Sequence, residues 1–540
     1  MVLAAVLTAT LAVAEPACGG KQVPAAGAAT TAPQGRPRTL RAAPHVTVVA
    51  VTDWQATLKP CGCTVDLQKG GIERIGRWLS DLRAVDDSVV VVHAGSLLHD
   101  TEGLELPGKR EQLDLRQAAF AKAMGQLGVA VVARSPFDVD NGGASVAALY
   151  AAAPFEVLAP QQAEAKTKAH VVMTTRSGVN VAVLAVTDDS PQQAALAAQQ
   201  VALVRQQGAQ VVVALCHAGV RGARRLARSV TGLDMVVAGH LDEKVEPLTD
   251  IEREGDTLLV HAARHGAWVT ATTLVPDGTA GGAWRDAEAF LPNAVTELTE
   301  RRAGLQQHFA QATARSEKDG RSAVATQLAL PFYRAQLADF DRRIAAARTA
   351  TDLPLPPGRL VAFQAVGLLW SSPSDPGLVA LVSAYDAAVA AQAAKSVGAV
   401  RPVAAGQASY VGQATCLACH APVKAFADRD QHGHAWQTLQ DAAKTADLDC
   451  VPCHVTGFGK PGGSALGHLQ TLAAVQCEAC HGPGSRHVAA PAKGAVGHLL
   501  PVTADSCAPC HTAQHSPQFA FGTFRQRLMV PGHGAAGLTQ

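Results

Sequence analysis

Large aromatic side chains are scarce: Phe, Trp and Tyr together make up 4% of the 540 residues, and there are only 5 methionines. A segment lean in rings and without hydrophobic period has little from which to build a core. An excess of one charge is also missing. The 46 Lys and Arg against 45 Asp and Glu leave +1, so no basic surface collects a phosphate backbone and no nucleic acid partner is expected. Long apolar runs are absent too. The uncharged stretch at residues 2–14 has 13 residues, short of the roughly 20 that a transmembrane helix needs, and no other stretch approaches such a span. What is present is ample for packing. A hydrophobic share of 48% with 17% charged residues excludes disorder as the class. At about 150 residues per domain, the length points to three or four domains.

Residues 2–14 suit the hydrophobic region of a secretory signal peptide, with Ala12-Val13-Ala14 as a small-residue cleavage site before Glu15. The basic n-region is missing. Cys18 leaves a lipid tether open, although Glu15 and Pro16 fit a lipobox badly. The expected location is periplasmic or otherwise exported, with the tether as the alternative to a free mature chain. Residues 15–44, rich in Ala, Pro, Gly and Thr, read as a flexible linker.

From 45 to 293 short β-branched runs alternate with helical patterns. Strands are expected at 46–52, 88–93, 129–133, 169–174, 180–186, 210–215, 234–238 and 257–261, with helices such as 71–84 and 192–207 between them. Such runs, too continuous for a half-exposed sheet, predict an α/β layered domain with strands covered on both faces. Residues 294–408 form a helical hairpin and connecting segment in this reading. Pro331 breaks or starts its second arm, 353–358 is a joint, and an Ala-rich helix covers 376–395.

Two residue types crowd into 409–540: 8 of the 12 cysteines and 11 of the 20 histidines. They include four Cys-x-x-Cys-His motifs, Cys416/Cys419/His420, Cys450/Cys453/His454, Cys477/Cys480/His481 and Cys507/Cys510/His511. Two thiols three positions apart can each form a thioether to one porphyrin, and the next His reaches the iron as proximal ligand. Zinc held by paired Cys-x-x-Cys is the alternative, but it gives no reason for a His after every pair. Four covalently bound haem c groups are therefore expected in a loop- and helix-rich domain whose core the porphyrins supply. Met529 is the only methionine here, so bis-His ligation is the default. Candidate distal ligands are His434 and His487, then His432, His468, His498 and His515, with His533 near the terminus ranked last. His487 lies six residues beyond His481, too short a tether to reach the opposite face of the same iron, so it would serve a neighbouring haem.

This segment resembles the periplasmic tetrahaem cytochromes that take electrons from hydroxylamine oxidoreductase. The resemblance covers about 410–520 and rests on Tyr410-Val411-Gly412, His432-Gly433-His434-Ala435-Trp436, Cys453-His454-Val455-Thr456-Gly457 and Val475 to Ser485 around the third motif. It implies closely packed, mostly bis-His haems with one candidate for five-coordination. It does not name the partner; other redox proteins or quinol-linked donors and acceptors are expected.

In open α/β sheets ligands gather beyond the carboxyl ends of strands. Those positions here offer Asp53, His93 to Ser96, His217 and Gly239 to Asp242. They resemble the calcineurin-like metallophosphoesterases, in particular the catalytic domain of periplasmic 5′-nucleotidases. The resemblance implies a two-metal site, of which Asp53, His217 and His240 are kept. Gln55, Ser96 and Asp242 replace a His, the bridging Asp and the final His, and Arg134-Ser135-Pro136 stands where an Asn-His pair belongs. A degenerate domain is expected, with one residual divalent metal on Asp53, His217, His240 and Asp242 left open. Cys61 and Cys63, after Lys59, are candidates for a thiol redox pair or soft-metal site, a static disulfide being the alternative. Cys216 reads as a buried small residue.

The expected function is an exported electron relay through four haems, with the degenerate domain as docking or thiol-redox module. Two alternatives stay open: an oxidoreductase acting on a small nitrogen or sulfur compound at an open haem, and a phosphoesterase with accessory haems. Electron transfer is favoured over hydrolysis.

Overall fold

A computed structural model describes residues 44–533 apart from 61–68, 100–105, 107, 161–166, 243–244, 246–247, 249, 280, 320–322, 351–352, 396–398, 470, 491–498, 513–514, 517–518 and 530–532, together with Pro37 and Leu40. The signal segment, most of the linker, Cys18, Cys61, Cys63 and His498 lie outside the described residues.

The strands in chain order are β1 (Val46–Thr52), β2 (Val89–Ala94), β3 (Val129–Ala133), β4 (Glu156–Leu158), β5 (Thr167–Lys168), β6 (His170–Thr174) and β7 (Asn180–Val186). There follow β8 (Val211–Cys216), β9 (Met235–Ala238), β10 (Glu252–Glu254), β11 (Thr257–Val260), β12 (Trp268–Val275), β13 (Arg285–Asp286) and β14 (Leu360–Gly367). The larger helices are α1 (Ile72–Arg83), α2 (Lys109–Leu127), α3 (Pro136–Ala152), α4 (Pro191–Gln206), α5 (Gly219–Ser229), α6 (Ala294–Asp319), α7 (Ala323–Ala350) and α8 (Pro376–Lys395).

These strands make two sheets, one in the order β13-β14-β12-β1-β2-β3-β4-β5 and one in the order β10-β11-β9-β8-β7-β6. β1 to β5 run parallel, as do β7, β8, β9 and β11. The two-residue side-chain period sorts each strand between two cores. Val46, Val48 and Ala50 of β1 meet Val183, Val213 and Val237 between the sheets. Val49 and Val51 point the other way, to Ile75 and Leu79 of α1, Phe120 and Met124 of α2 and Tyr385 and Val389 of α8. On the far face of the second sheet Leu184, Val212 and Cys216 pack under α4 and α5. The result is helix, sheet, sheet, helix. Both sheets are covered on both faces, which is why their strands read as unbroken Val and Ala runs.

Three features differ from the sequence expectation. β14 lies in the segment expected to be helical and pairs antiparallel with β12 from Trp268↔Gly367 to Val275↔Leu360; its partner lies beyond the whole hairpin, so no local signal announces it. Pro331 sits inside α7 and does not break or start it. It is exposed, so the carbonyl one turn back that loses its donor can turn to water. α8 is long and apolar enough to cross a membrane by length and composition, yet Leu378, Tyr385, Val389 and Ala393 are buried and Asp386 pairs with Lys59.

Phe120 is fully buried with its ring edge-on to Trp54 at 5.2 Å. Phe120→Ala is expected to destabilise this domain by about 3–5 kcal/mol, read as a lower urea midpoint of its circular-dichroism transition.

Candidate functional site

At the carboxyl end of β1, Asp53 adopts φ 43. Its Oδ1 accepts the Ser96 N–H at 2.8 Å and the His240 N–H at 3.0 Å, and its Oδ2 accepts the Leu241 N–H at 2.9 Å. The carboxylate thus ties the loops after β2 and β9 to β1. Burial pushes its pKa up, against these backbone donors. The loops close tightly over it: a Cβ on Gly95 would lie 2.1 Å from Asp53 Oδ1, and one on Gly239 would lie 2.2 Å from the Gly95 nitrogen. Only glycine permits that approach.

His93 and His217 stand beside this knot. Burial lowers the pKa of His93 to about 3 and that of His217 to about 4, so both imidazoles are neutral at pH 7. His93 Nε2 accepts the Trp54 N–H at 3.3 Å. His240 and Asp242 are exposed, and the Gln55 carbonyl oxygen accepts from Arg264 at 3.1 Å. Among the described residues no three His, Cys, Asp or Glu side chains stand close enough to hold a metal ion. Asp53, His217, His240 and Asp242 are therefore not assembled into the residual metal site left open from the sequence: the first is taken up by backbone donors and the last faces solvent.

Asp138, absent from the sequence candidates, gathers a second set of backbone donors. Its carboxylate accepts the N–H groups of Leu97, Leu98 and His99 at 2.8, 3.2 and 2.9 Å and the Tyr150 hydroxyl at 2.9 Å. Ser135, in the position of the lost Asn-His pair, caps α3 by accepting the Asp138 N–H. The Ser-Pro-x-Asp pattern was the available signal.

In the C-terminal region the motif cysteines lie on or beside short helical turns, Gln413–Cys419, Val451–His454, Cys477–His481 and Ala504–Cys507. None of the nine cysteines among the described residues is in a disulfide. The turns of the first and third motifs touch, as do those of the third and fourth, and Cys453 Sγ lies 3.8 Å from the Pro509 carbonyl. The motifs are therefore neighbours in the order first, third, fourth, second.

The imidazoles fall into pairs. Ring centres are 6.1 Å apart for His420 and His487, 6.1 Å for His432 and His511, and 6.4 Å for His481 and His533. Two imidazoles on opposite sides of one metal, each bonded at about 2 Å, hold their centres about 6 Å apart. The Nδ1 atoms agree with this use. That of His432 bonds Asp430 at 2.8 Å, that of His511 bonds Ser516 at 3.1 Å and that of His533 donates to the Leu528 carbonyl at 2.7 Å, leaving Nε2 for iron. His454 Nδ1 likewise donates to the Ala435 carbonyl at 2.6 Å, but among the described residues no imidazole faces its ring at such a distance. The residues fit haem iron. Of the sequence candidates, His487 and His432 stand opposite motif histidines. His434 Nε2 is engaged by the Asp428 carbonyl at 3.1 Å and His468 is exposed, while among the described residues no imidazole faces His515. His533 ranks last from sequence because chain position alone cannot show that the tail folds back.

Three side chains from the segments carrying the cytochrome resemblance lock the motifs together. Glu478 accepts the N–H groups of Val411, Gly412 and Gly484 at 2.7–3.0 Å. Gln476 accepts from the Gln413 N–H at 2.7 Å and donates to the Thr471 and Ala473 carbonyls. Thr456 donates to the Ala474 carbonyl and accepts the Gln476 N–H, both at 2.8 Å. Tyr410 packs where a Cβ on Gly457 would come within 2.6 Å of its ring.

The second motif is docked on the α/β domain. The Gln112 side chain of α2 donates to the Ala446 carbonyl at 2.8 Å and accepts the Leu448 N–H at 3.0 Å. Lys109 and Arg116 of α2 pair with Asp449, and Lys59 bridges Asp447, at 3.2 Å, and Asp386.

Comparison with known proteins gives the following. Residues 415–482, containing the first three motifs, match the family described as cytochrome c554 and c-prime, and cytochrome families of this type carry covalently bound haem c. Cytochrome c-554 of Nitrosomonas europaea is 37% identical over 97 residues, 15% of this chain and 41% of that protein, so the chain spans about two fifths of the length of the curated relative it matches. Among solved structures, the 5′-nucleotidase precursor of Thermus thermophilus aligns over 66% of this chain and 61% of its own, at 16% identity and a TM-score of 0.43. The NAD nucleotidase of Haemophilus influenzae aligns over 45% and 49%, at 16% identity and 0.38. Neither overlap reaches 0.5, and the reading of the α/β site rests on its own side chains. The C-terminal part of the chain is thus similar to the cytochromes c554, and it is joined to a two-sheet α/β domain.

Proposed function

We propose that the chain is an exported c-type cytochrome that relays electrons through four haems, with its α/β domain as a docking platform. The three imidazole pairs at 6.1–6.4 Å carry this reading. Haem supplies one-electron chemistry at iron; ligand identity, hydrogen bonding and burial by the protein tune it. In this reading Cys416, Cys419, Cys450, Cys453, Cys477, Cys480, Cys507 and Cys510 hold the porphyrins, and His420, His454, His481 and His511 bind iron from the proximal side. His487, His533 and His432 serve as distal ligands to the first, third and fourth irons, and all three low-potential centres are bis-His. Mutual contact of the motifs orders the path first, third, fourth, second, ending against α2. Lys59 lies in that contact just before the Cys61/Cys63 pair, which the reading assigns as a thiol redox partner of the second haem. The other electron partners are redox proteins or quinol-linked carriers, and a lipid tether at Cys18 remains the alternative to a free exported chain.

A second reading has its own support. His454 is oriented by the Ala435 carbonyl and has no facing imidazole among the described residues, which do not include His498; in this reading its iron has an open position where a small nitrogen or sulfur compound binds. Hydrolysis of phosphate esters has no such support: among the described residues no three His, Cys, Asp or Glu side chains stand close enough to hold a metal ion.

The mass of the purified chain is expected to exceed that of its polypeptide by four haems, and a spectroscopic redox titration is expected to show reversible low-potential steps. A bare-polypeptide mass sinks the relay. His533→Ala is expected to convert one low-spin haem to high spin in the electron paramagnetic resonance spectrum while leaving haem content unchanged. Carbon monoxide is expected to bind one haem in the wild type and two in this variant; uniformly low-spin, inert haems in the wild type defeat the open-position reading.

A further inference from the structure

We infer that the α/β domain sets the potential of the haem carried by Cys450–His454, through the charges of Lys109 and Arg116 on α2 and their partner Asp449. The inference rests on the relay reading and adds to it an electrostatic role for the α/β domain.

The geometry places these charges at the root of the second motif. Asp449 directly precedes Cys450 in the chain. Lys109 Nζ pairs with its Oδ1, and Arg116 with its Oδ2 at 2.9 Å. The loop is rigid at that point. The Gln112 side chain bonds it at Ala446 and Leu448, Leu448 is 2% exposed, the Asp449 N–H donates to Asp447 at 3.0 Å, and the Cys450 and Val451 N–H groups donate to the Asp447 carbonyl. Burial alone would raise the Asp449 carboxyl, but Arg116 and Lys109, paired with its two oxygens, hold it below the ordinary carboxylate range. Asp449 is therefore ionised, and the cluster presents fixed charges of both signs beside one porphyrin anchor.

A haem is more positive by one charge when oxidised. Nearby positive charge therefore disfavours the ferric state and raises the potential, and negative charge lowers it. The Asp449 side chain is 43% exposed, so water and salt moderate the effect without cancelling it. Among the described residues, the hydrogen bonds and ion pairs from α2 to this region reach the loop of the second motif, so the influence is expected to fall mainly on one haem of the four. In this way a docking contact also becomes an electrostatic setting, and separating the domains would alter the driving force at that end of the chain of haems.

The test is a spectroelectrochemical titration of the full-length, haem-loaded protein in three variants. Lys109→Gln removes a positive charge and is expected to move one of the four components to lower potential. Asp449→Asn removes the negative charge and is expected to move the same component to higher potential. Arg302→Gln, in an exposed pair with Asp341 far out on the helical hairpin, is expected to move none. Haem content and the optical spectrum stay as in the wild type throughout. Opposite shifts cannot come from a loosened loop, which would move the component the same way in both variants; shifts of one sign, or no shift, overturn the proposal. A wild-type chain without haem overturns the relay reading and this proposal together, whereas four haems with charge-insensitive potentials overturn this proposal alone.

Discussion

Three backbone N–H groups, those of Val411, Gly412 and Gly484, converge on the Glu478 carboxylate between the two cysteines of the third motif. Hydrogen bonds to a buried charge are individually stronger than neutral ones, on the order of 1.5–3 kcal/mol each, and these three join the approach to the first motif, the body of the third and the turn that leads to His487. Gln476 and Thr456 extend the same lattice to the second motif. The apolar cluster of this region, around Leu439, Leu448, Val451, Val455 and Leu466, is small and is shared with α8 through Ala393. Polar clamps locate the attachment points; bound porphyrin supplies the apolar bulk that the chain lacks.

The α/β domain uses the same device. Asp53, just after β1, and Asp138, in the first turn of α3, each accept three backbone N–H groups. The close approach of Gly95 and Gly239 leaves no room between the loops that Asp53 joins. Two buried carboxylates thus tie the loops after β1, β2 and β9 together, and α2 packs on the same layered frame.

The strands at 46–52, 129–133 and 180–186 were legible because burial on both faces makes such runs uniformly β-branched, and the helix at 376–395 because Ala dominates it. α2 was not, since its buried residues do not form one clean stripe: it is covered by the sheet on one side and by α8 and the haem segment on others. β14 was missed because its pairing partner is remote. At the sites, the Cys-x-x-Cys-His spacing gave the expectation of haem anchors, because thioether chemistry demands that spacing. Tether length gave the expectation that His487 serves a motif other than its own, and the structure sets its ring 6.1 Å from that of His420. Which other histidines meet across a haem was not legible: His533 and His434 differ in their surroundings, in one case a free Nε2 and in the other an Nε2 taken by a carbonyl, and no local pattern distinguishes them.

The contact between the turns of the first and third motifs has a consequence for biogenesis. If the chain carries haem c in an oxidising compartment, thiols of separate motifs brought together before attachment would cross-link, and the bond would remove one anchor from each of two cofactors. Porphyrin attachment would then have to outrun compaction of this region, and the polar lattice around Glu478 would close last.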